Sequence, residues 1–162
     1  MRIVKTRVRP TVTPPASSLK ARERMIRQLQ RDTKPELAVR RAVHALGLRY
    51  RVNRVPVEGM RSKVDLVFPT ERVAVFIDGC FWHGCPEHGT WPKSNAQWWR
   101  NKIEGNRERD RRTDQRLEEM DWRVVRVWAH ENAQEAAMRI REIVENARRA
   151  TGQRPMQVRK RT

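Results

Sequence analysis

The chain has 162 residues, and 36 Lys or Arg against 19 Asp or Glu give it a formal net charge of +17. A charge of that size attracts a polyanion and releases its counterions on contact, so DNA or RNA is the expected partner. The longest apolar run, Val73 to Ile77, is too short to span a bilayer, and Cys80 and Cys85, with four residues between them, make no disulfide framework. A membrane-spanning or disulfide-built protein is thereby excluded. The opening "MRIVKTRVRP" carries charge but no apolar segment behind it, so no secretory signal is expected and a reducing cytoplasm is the expected compartment.

In chain order, residues 1–17, with "RPTVTPP", read as a flexible basic arm, because their Pro, Thr, Arg and Val follow no core-forming period. One folded domain is expected over 18–150, and a flexible basic tail over 151–162. "SSLKARERMIRQLQR" predicts a short, very basic helix whose apolar contacts are Leu19, Met25, Ile26 and Leu29. "TKPE" at 33–36 is a helix start, with Thr33 as cap, Glu36 reaching back as in a capping box, and Pro35 tolerated in the first turn. Ala38, Ala42 and Leu46, with Val39 and Val43, give the helix its buried stripe, and Gly47 stops it.

Three strands are expected next, "LRYRV" (48–52), "VDLVF" (64–68) and "RVAVFI" (72–77), the last two joined tightly through "PTE". "NAQWWRNKIEGNRERDRRTDQRLEEM" (95–120) predicts a long polar helix that Gly105 breaks or bends. "WRVVRVW" (122–128) predicts a strand whose Trp122 and Trp128 face the core, and "HENAQEAAMRIREIVENARRA" (130–150) a final amphipathic helix. The order α-β-β-β-α-β-α points to an α/β fold, a mixed sheet flanked by helices.

Between the third strand and the long helix lies "DGCFWHGCPEHGTW" (78–91), which holds both cysteines, two of the four histidines and two of the six tryptophans. Cys80, Cys85 and His88 form C-x4-C-x2-H, a natural zinc set that still needs a fourth ligand. His83 would make the site local and force C-F-W-H to curl round the ion. His130 would instead tie the loop to the far end of the sheet, and spacing leaves both open. The bland alternative is a buried thiol pair with surface histidines. On the neighbouring "VDLVF", Asp65 is a carboxylate in an apolar strand, where it must be paired, hydrated or bound to a cation unless it lies at a solvated edge.

Taken in order, "RDTKPE", "GLRYRV", "VDLVFP", "VAVFIDGCFWHGCPEH", "WWRNKIEGNRERDRR" and "WRVVRVWAHE" resemble the very short patch repair endonuclease family, over about residues 18 to 145. The resemblance implies the restriction-endonuclease-like (PD-(D/E)XK-related) fold with a structural zinc site. It also implies a monomeric, Mg²⁺-dependent enzyme of the bacterial cytoplasm and nucleoid. Its substrate would be double-stranded DNA, nicked 5′ to the T of a T:G mismatch left by 5-methylcytosine deamination, with mismatch-repair proteins as further partners. Position by position, Asp65 matches the metal-binding carboxylate, Ile77 its backbone-carbonyl companion, and His83 the histidine that activates the attacking water. The zinc ligands implied are then Cys80, Cys85, His88 and His130. Glu36 and Asp110 match supporting acidic residues, although one is also explained as a cap partner and the other as a charge on a solvated helix. Asp78 departs from a family pattern with histidine there, and could add a carboxylate to the Mg²⁺ cluster. Phe81, Trp82 and Trp99 match aromatics that insert beside the mismatch, with either Trp98 or Trp99 packing toward the core. Lys20, Arg22, Arg24 and Arg27 would clamp the DNA. A zinc ion would fix the aromatic loop in advance and spare the ordering entropy of insertion. The rival readings are a related nicking nuclease for another modified or mismatched site, and a non-catalytic zinc DNA-binding protein.

Overall fold

The computed structural model describes residues 32–152. Lys20, Arg22, Arg24 and Arg27, the arm and helix expected before residue 32, and the tail from 153 lie outside the described residues. Within them the order is α1 (Lys34–Ala45), β1 (Arg51–Arg54), β2 (Val64–Phe68), β3 (Val73–Asp78), α2 (Ala96–Glu118), β4 (Arg123–Trp128) and α3 (Ala133–Ala150). The strands form one mixed sheet, ordered β1-β2-β3-β4. β1, β2 and β3 pair antiparallel in sequence, while β4 runs parallel to β3, from Val73↔Arg123 to Asp78↔Trp128. A parallel pair needs a long crossover, which here consists of the aromatic loop and α2.

The sheet is covered on both faces. Leu66 and Phe68 of β2, Val73 and Val75 of β3, and Val125 and Val127 of β4 meet Val39 and Val43 of α1 and Ile140 and Val144 of α3. On the opposite face Val67, Ala74 and Phe76 pack with Leu117 of α2, Trp122 and Met60. Residues alternate between the faces with the strand period, and β3, buried on both, reads as an unbroken apolar run.

Several expectations shift locally. β1 begins at Arg51 rather than at 48. Gly47 turns the chain at φ 83°, Leu48 is buried in the core, and the Tyr50 hydroxyl donates to the Arg40 carbonyl at 2.7 Å, so these residues pack before the ladder starts. Asn53 takes φ 55° within β1, and the register runs on unchanged from Val52↔Leu66 to Arg54↔Val64. The capping box is incomplete: Thr33 makes no side-chain cap and instead donates to Glu36, which accepts the Asp32 N–H. Gly105 neither breaks nor bends α2 out of continuity, for the helix runs through it for 23 residues. Trp122 is buried as expected, but it precedes β4, and Trp128 is only half-buried, its ring stacked on His130.

Candidate active site

Parallel pairing of β3 and β4 brings their carboxyl ends side by side, so the loop after β3 and the residues after β4 meet. The Ala129 N–H donates to the Asp78 carbonyl at 2.9 Å, which fixes this junction and sends His130 toward the loop. There the ligand atoms of Cys80, Cys85, His88 and His130 all lie within 4.8 Å of one another. A tetrahedron with zinc–sulfur and zinc–nitrogen bonds of about 2.3 and 2.0 Å has edges of about 3.3 to 3.8 Å. His130 Nδ1 sits 3.2 Å from Cys80 Sγ and 3.7 Å from Cys85 Sγ, close to that requirement. The donor set therefore fits a zinc-type ion, soft sulfur and imidazole being the ligands such an ion selects. Burial and the neighbouring Cys85 push the Cys80 thiol above its ordinary pKa, which a cation between the sulfurs would reverse. On the other side of the His130 ring, Nε2 lies 3.6 Å from Glu87, the type of outer contact that orients a ligating imidazole.

The loop's backbone curls through Cys85 N–H to the Cys80 carbonyl and Gly89 N–H to the Cys85 carbonyl, both 2.9 Å. A Cβ at Gly89 would stand 2.3 Å from that Cys85 oxygen, and Gly84 has φ 62° with Ile103 where its Cβ would point. Both positions therefore demand glycine. The buried Asn106 of α2 donates to the Trp82 carbonyl at 2.9 Å, clamping the loop to the helix.

His83 turns away from the sulfur cluster. Its Nδ1 is 2.7 Å from Asp110 Oδ2 and 3.5 Å from Asp78 Oδ1. Burial lowers the imidazole pKa, but the Asp110 hydrogen bond and the two carboxylate charges outweigh it and hold His83 above its ordinary value. Asp110 is correspondingly lowered, because the His83 hydrogen bond and charge, with help from Arg126, overcome its burial. Asp110 is thus not a charge on a solvated helix.

Asp78, 4% exposed, accepts from Arg126 Nη1 at 2.9 and 2.7 Å, so both its oxygens are taken by a guanidinium. Burial still raises its pKa against the opposing charges of Arg126 and His83. Asp65, on β2, accepts the Ile77 N–H at 2.7 Å. Burial lifts its pKa from 3.8 to about 6, and the Glu36 and Asp78 charges add to the rise, against the Ile77 N–H and Arg40. Beyond that hydrogen bond the Asp65 carboxylate keeps lone pairs of the oxygen type that a hard divalent cation takes, the rest of its shell being water. Glu36, 7% exposed, is occupied by the Asp32 N–H, the Thr33 hydroxyl and Arg40 Nη2 at 2.9, 2.9 and 3.1 Å.

Beside this cluster four rings meet at tilted or edge-on angles. Phe81 lies 5.1 Å from Trp82 and 5.2 Å from Trp99, and Trp99 lies 4.8 Å from Trp98. All four are half-buried, so neither Trp98 nor Trp99 enters the core. Arg111 and Arg112 pair with Glu108 on the outer face of α2. Arg126, Asp114 and Asn106 are the residues that sequence reasoning did not single out. A lone arginine in "VVRVW" was the available signal for the first, and nothing in the pattern distinguishes the other two.

Relatives share most of this chain. The family described as "DNA mismatch endonuclease Vsr" matches residues 17–88. The Type II nicking enzyme V.NaeI of Lentzea aerocolonigenes is 46% identical over 127 residues, 76% of either chain. V.XorIIP of Xanthomonas oryzae is 41% identical over 71% of this chain and 85% of its own. The DNA mismatch endonuclease Vsr of Escherichia coli is 36% identical over 69% and 67%. A more distant likeness is to the homing endonuclease I-Bth0305I catalytic domain, with TM-score 0.49 and 18% identity over 72% of this chain and 98% of that one. At such identity across most of its length, this basic chain belongs to the Vsr family of DNA endonucleases.

Proposed function

We propose that the protein nicks one strand of duplex DNA 5′ to the T of a T:G mismatch, by Mg²⁺-dependent hydrolysis of the phosphodiester. The observation that carries the catalytic reading is the 2.7 Å contact between His83 Nδ1 and Asp110, beside buried Asp78, whose charge in turn reaches half-buried Asp65. The mismatch reading rests on the matched family and the Escherichia coli relative, both of which are mismatch endonucleases by name. The other relatives named above are called nicking enzymes, which supports cleavage of one strand.

With Asp110 accepting from Nδ1–H, Nε2 is the basic nitrogen of His83. His83 takes a proton from the attacking water at Nε2 while the water oxygen bonds to phosphorus. The bond to the leaving sugar oxygen breaks, and that oxygen collects a proton from solvent. Asp65 and the Ile77 carbonyl would hold Mg²⁺, which when bound polarises the phosphate and offsets charge on the leaving oxygen. Glu36 orders α1 beside Asp65 through Thr33 and Arg40 rather than facing the phosphate. Cys80, Cys85, His88 and His130 would hold Zn²⁺ and so stiffen the loop. Phe81, Trp82 and Trp99 are the wedge that enters beside the mismatch, where unstacking costs least. A monomer in a reducing cytoplasm suits a site built from free thiols.

The test is nicking of a labelled T:G duplex and its C:G counterpart, with Mg²⁺ supplied or omitted. Omission is preferable to chelation, since a chelator would also strip the Cys/His site. Nicking of T:G alone, in Mg²⁺ alone, is expected. Equal cutting of both duplexes would favour a nicking nuclease with another target. His83→Ala should slow single-turnover nicking by about 10² to 10⁴-fold with DNA affinity retained.

A further inference from the structure

Two carboxylates compete for one imidazole nitrogen. His83 Nδ1 is 2.7 Å from Asp110 and 3.5 Å from Asp78, and Asp78 is the more deeply buried, its side chain 6% exposed against 23%. An unpaired buried carboxylate at that distance would pull the ring away from Asp110 and rotate Nε2 off its line.

We infer that Arg126 is the positioning residue that settles this competition in favour of Asp110; the assignment rests on His83 being the base. Its Nη1 donates to both Asp78 oxygens, at 2.9 and 2.7 Å, and occupies the side of Asp78 that would otherwise turn to His83. Its Nε and Nη2 donate to both oxygens of Asp114, at 2.8 Å each. Asp114 stands one helical turn beyond Asp110 on α2, so a fork closed on Asp114 also sets the rotation that presents Asp110 to His83. The parallel register places Arg126 beside Phe76, whose ring lies 4.6 Å below the guanidinium carbon. The Arg126 carbonyl in turn accepts from Arg139 of α3 at 3.1 Å. One side chain on β4 thus ties β3 and α2 together at the place where the base is aimed. The planar fork spreads its donors over three nitrogens, Nη1 for Asp78 and Nε with Nη2 for Asp114, whereas an ammonium gathers its three donors on one nitrogen and cannot reproduce that spread.

The experiment compares Arg126→Lys, and Arg126→Met with and without Asp78→Asn, in the full-length zinc-loaded protein. It measures single-turnover nicking of the T:G duplex, affinity for that duplex, and the imidazole ¹⁵N signals of His83 at one pH. A misaimed catalytic group costs about a hundredfold. Arg126→Lys is therefore expected to nick about a hundredfold more slowly with duplex affinity unchanged and a displaced His83 Nδ1 signal. Asp78→Asn, which removes the competing charge, should recover at least tenfold in the Arg126→Met background. A lysine variant nicking within threefold of the parent, or no recovery in the double variant, overturns the assignment. If Arg126→Met does not fold, the lysine variant and its His83 signal decide. If the parent nicks no T:G duplex, the functional reading falls, yet an unmoved His83 signal in Arg126→Lys would still refute the positioning role by itself.

Discussion

Asp65 is held at cost. Its carboxyl titrates near 6 instead of 3.8, so the folded protein binds that proton more tightly than the unfolded chain does. Its contribution therefore favours the fold at low pH and is lost as pH rises from about 4 through 6. At neutral pH without Mg²⁺ the ionised group weakens the fold, on the order of 3 kcal/mol. Asp65→Asn carries no charge and should raise the melting temperature of Mg²⁺-free protein at pH 7.5 by a few degrees while abolishing nicking. A lower melting temperature would mean that the charge is satisfied in the metal-free fold. Glu36 and Arg40 are both buried, bond one another and neighbouring Asp32, and hold the α1 start together.

At the scale of elements, α2 is a positioning device as much as a crossover. Through Asn106, Asp110 and Asp114 it grips the loop backbone, the imidazole and the β4 arginine at successive turns of one face. Gly105 is dispensable to that role, because it sits mid-helix with nothing within 4 Å of an added Cβ. Gly105→Ala should stabilise the protein by about 0.5 to 1 kcal/mol in denaturant unfolding, from the helix-propensity difference alone, with nicking unchanged. The loop makes the opposite demand. Cys85 is 4% exposed, belongs to the Cys/His group that could hold an ion, and also accepts the His88 N–H at 3.4 Å as a turn partner. Cys85→Ser should lower bound zinc to near zero by elemental analysis and lower the melting temperature in the same sample. A full complement of zinc in that variant would remove Cys85 from the ligand set.

For the whole molecule, the decisive quantity is charge. A net +17 spread over 162 residues cannot be neutralised internally, and contact with a polyanion relieves it. Affinity for a matched, non-cleaved duplex should fall about a thousandfold or more between 50 and 200 mM salt, as expected for roughly six or more phosphate contacts. Titration by fluorescence anisotropy checks this, and a loss below tenfold would place the charge away from the interface. Both cysteines are free thiols, and among the described residues no helix is long and apolar enough to cross a membrane.

The amino-acid sequence by itself determined the order of elements, because the strand and helix periods of "VDLVF", "VAVFI" and "WRVVRVW" are local properties of the chain. It also determined the presence of a Cys/His loop, whose donors lie within a few residues of each other. Which histidine joins Cys80, Cys85 and His88 is open from spacing, because His83 and His130 are both chemically able, and only the family resemblance implies His130. Parallel pairing of β3 with β4 brings the distant His130 to the loop, while Asp110 turns His83 the other way. Within "WRVVRVW" nothing local marks Arg126 either. Its partners are 12 and 48 positions away, and their charges became mutually necessary only when the fold removed water from between them.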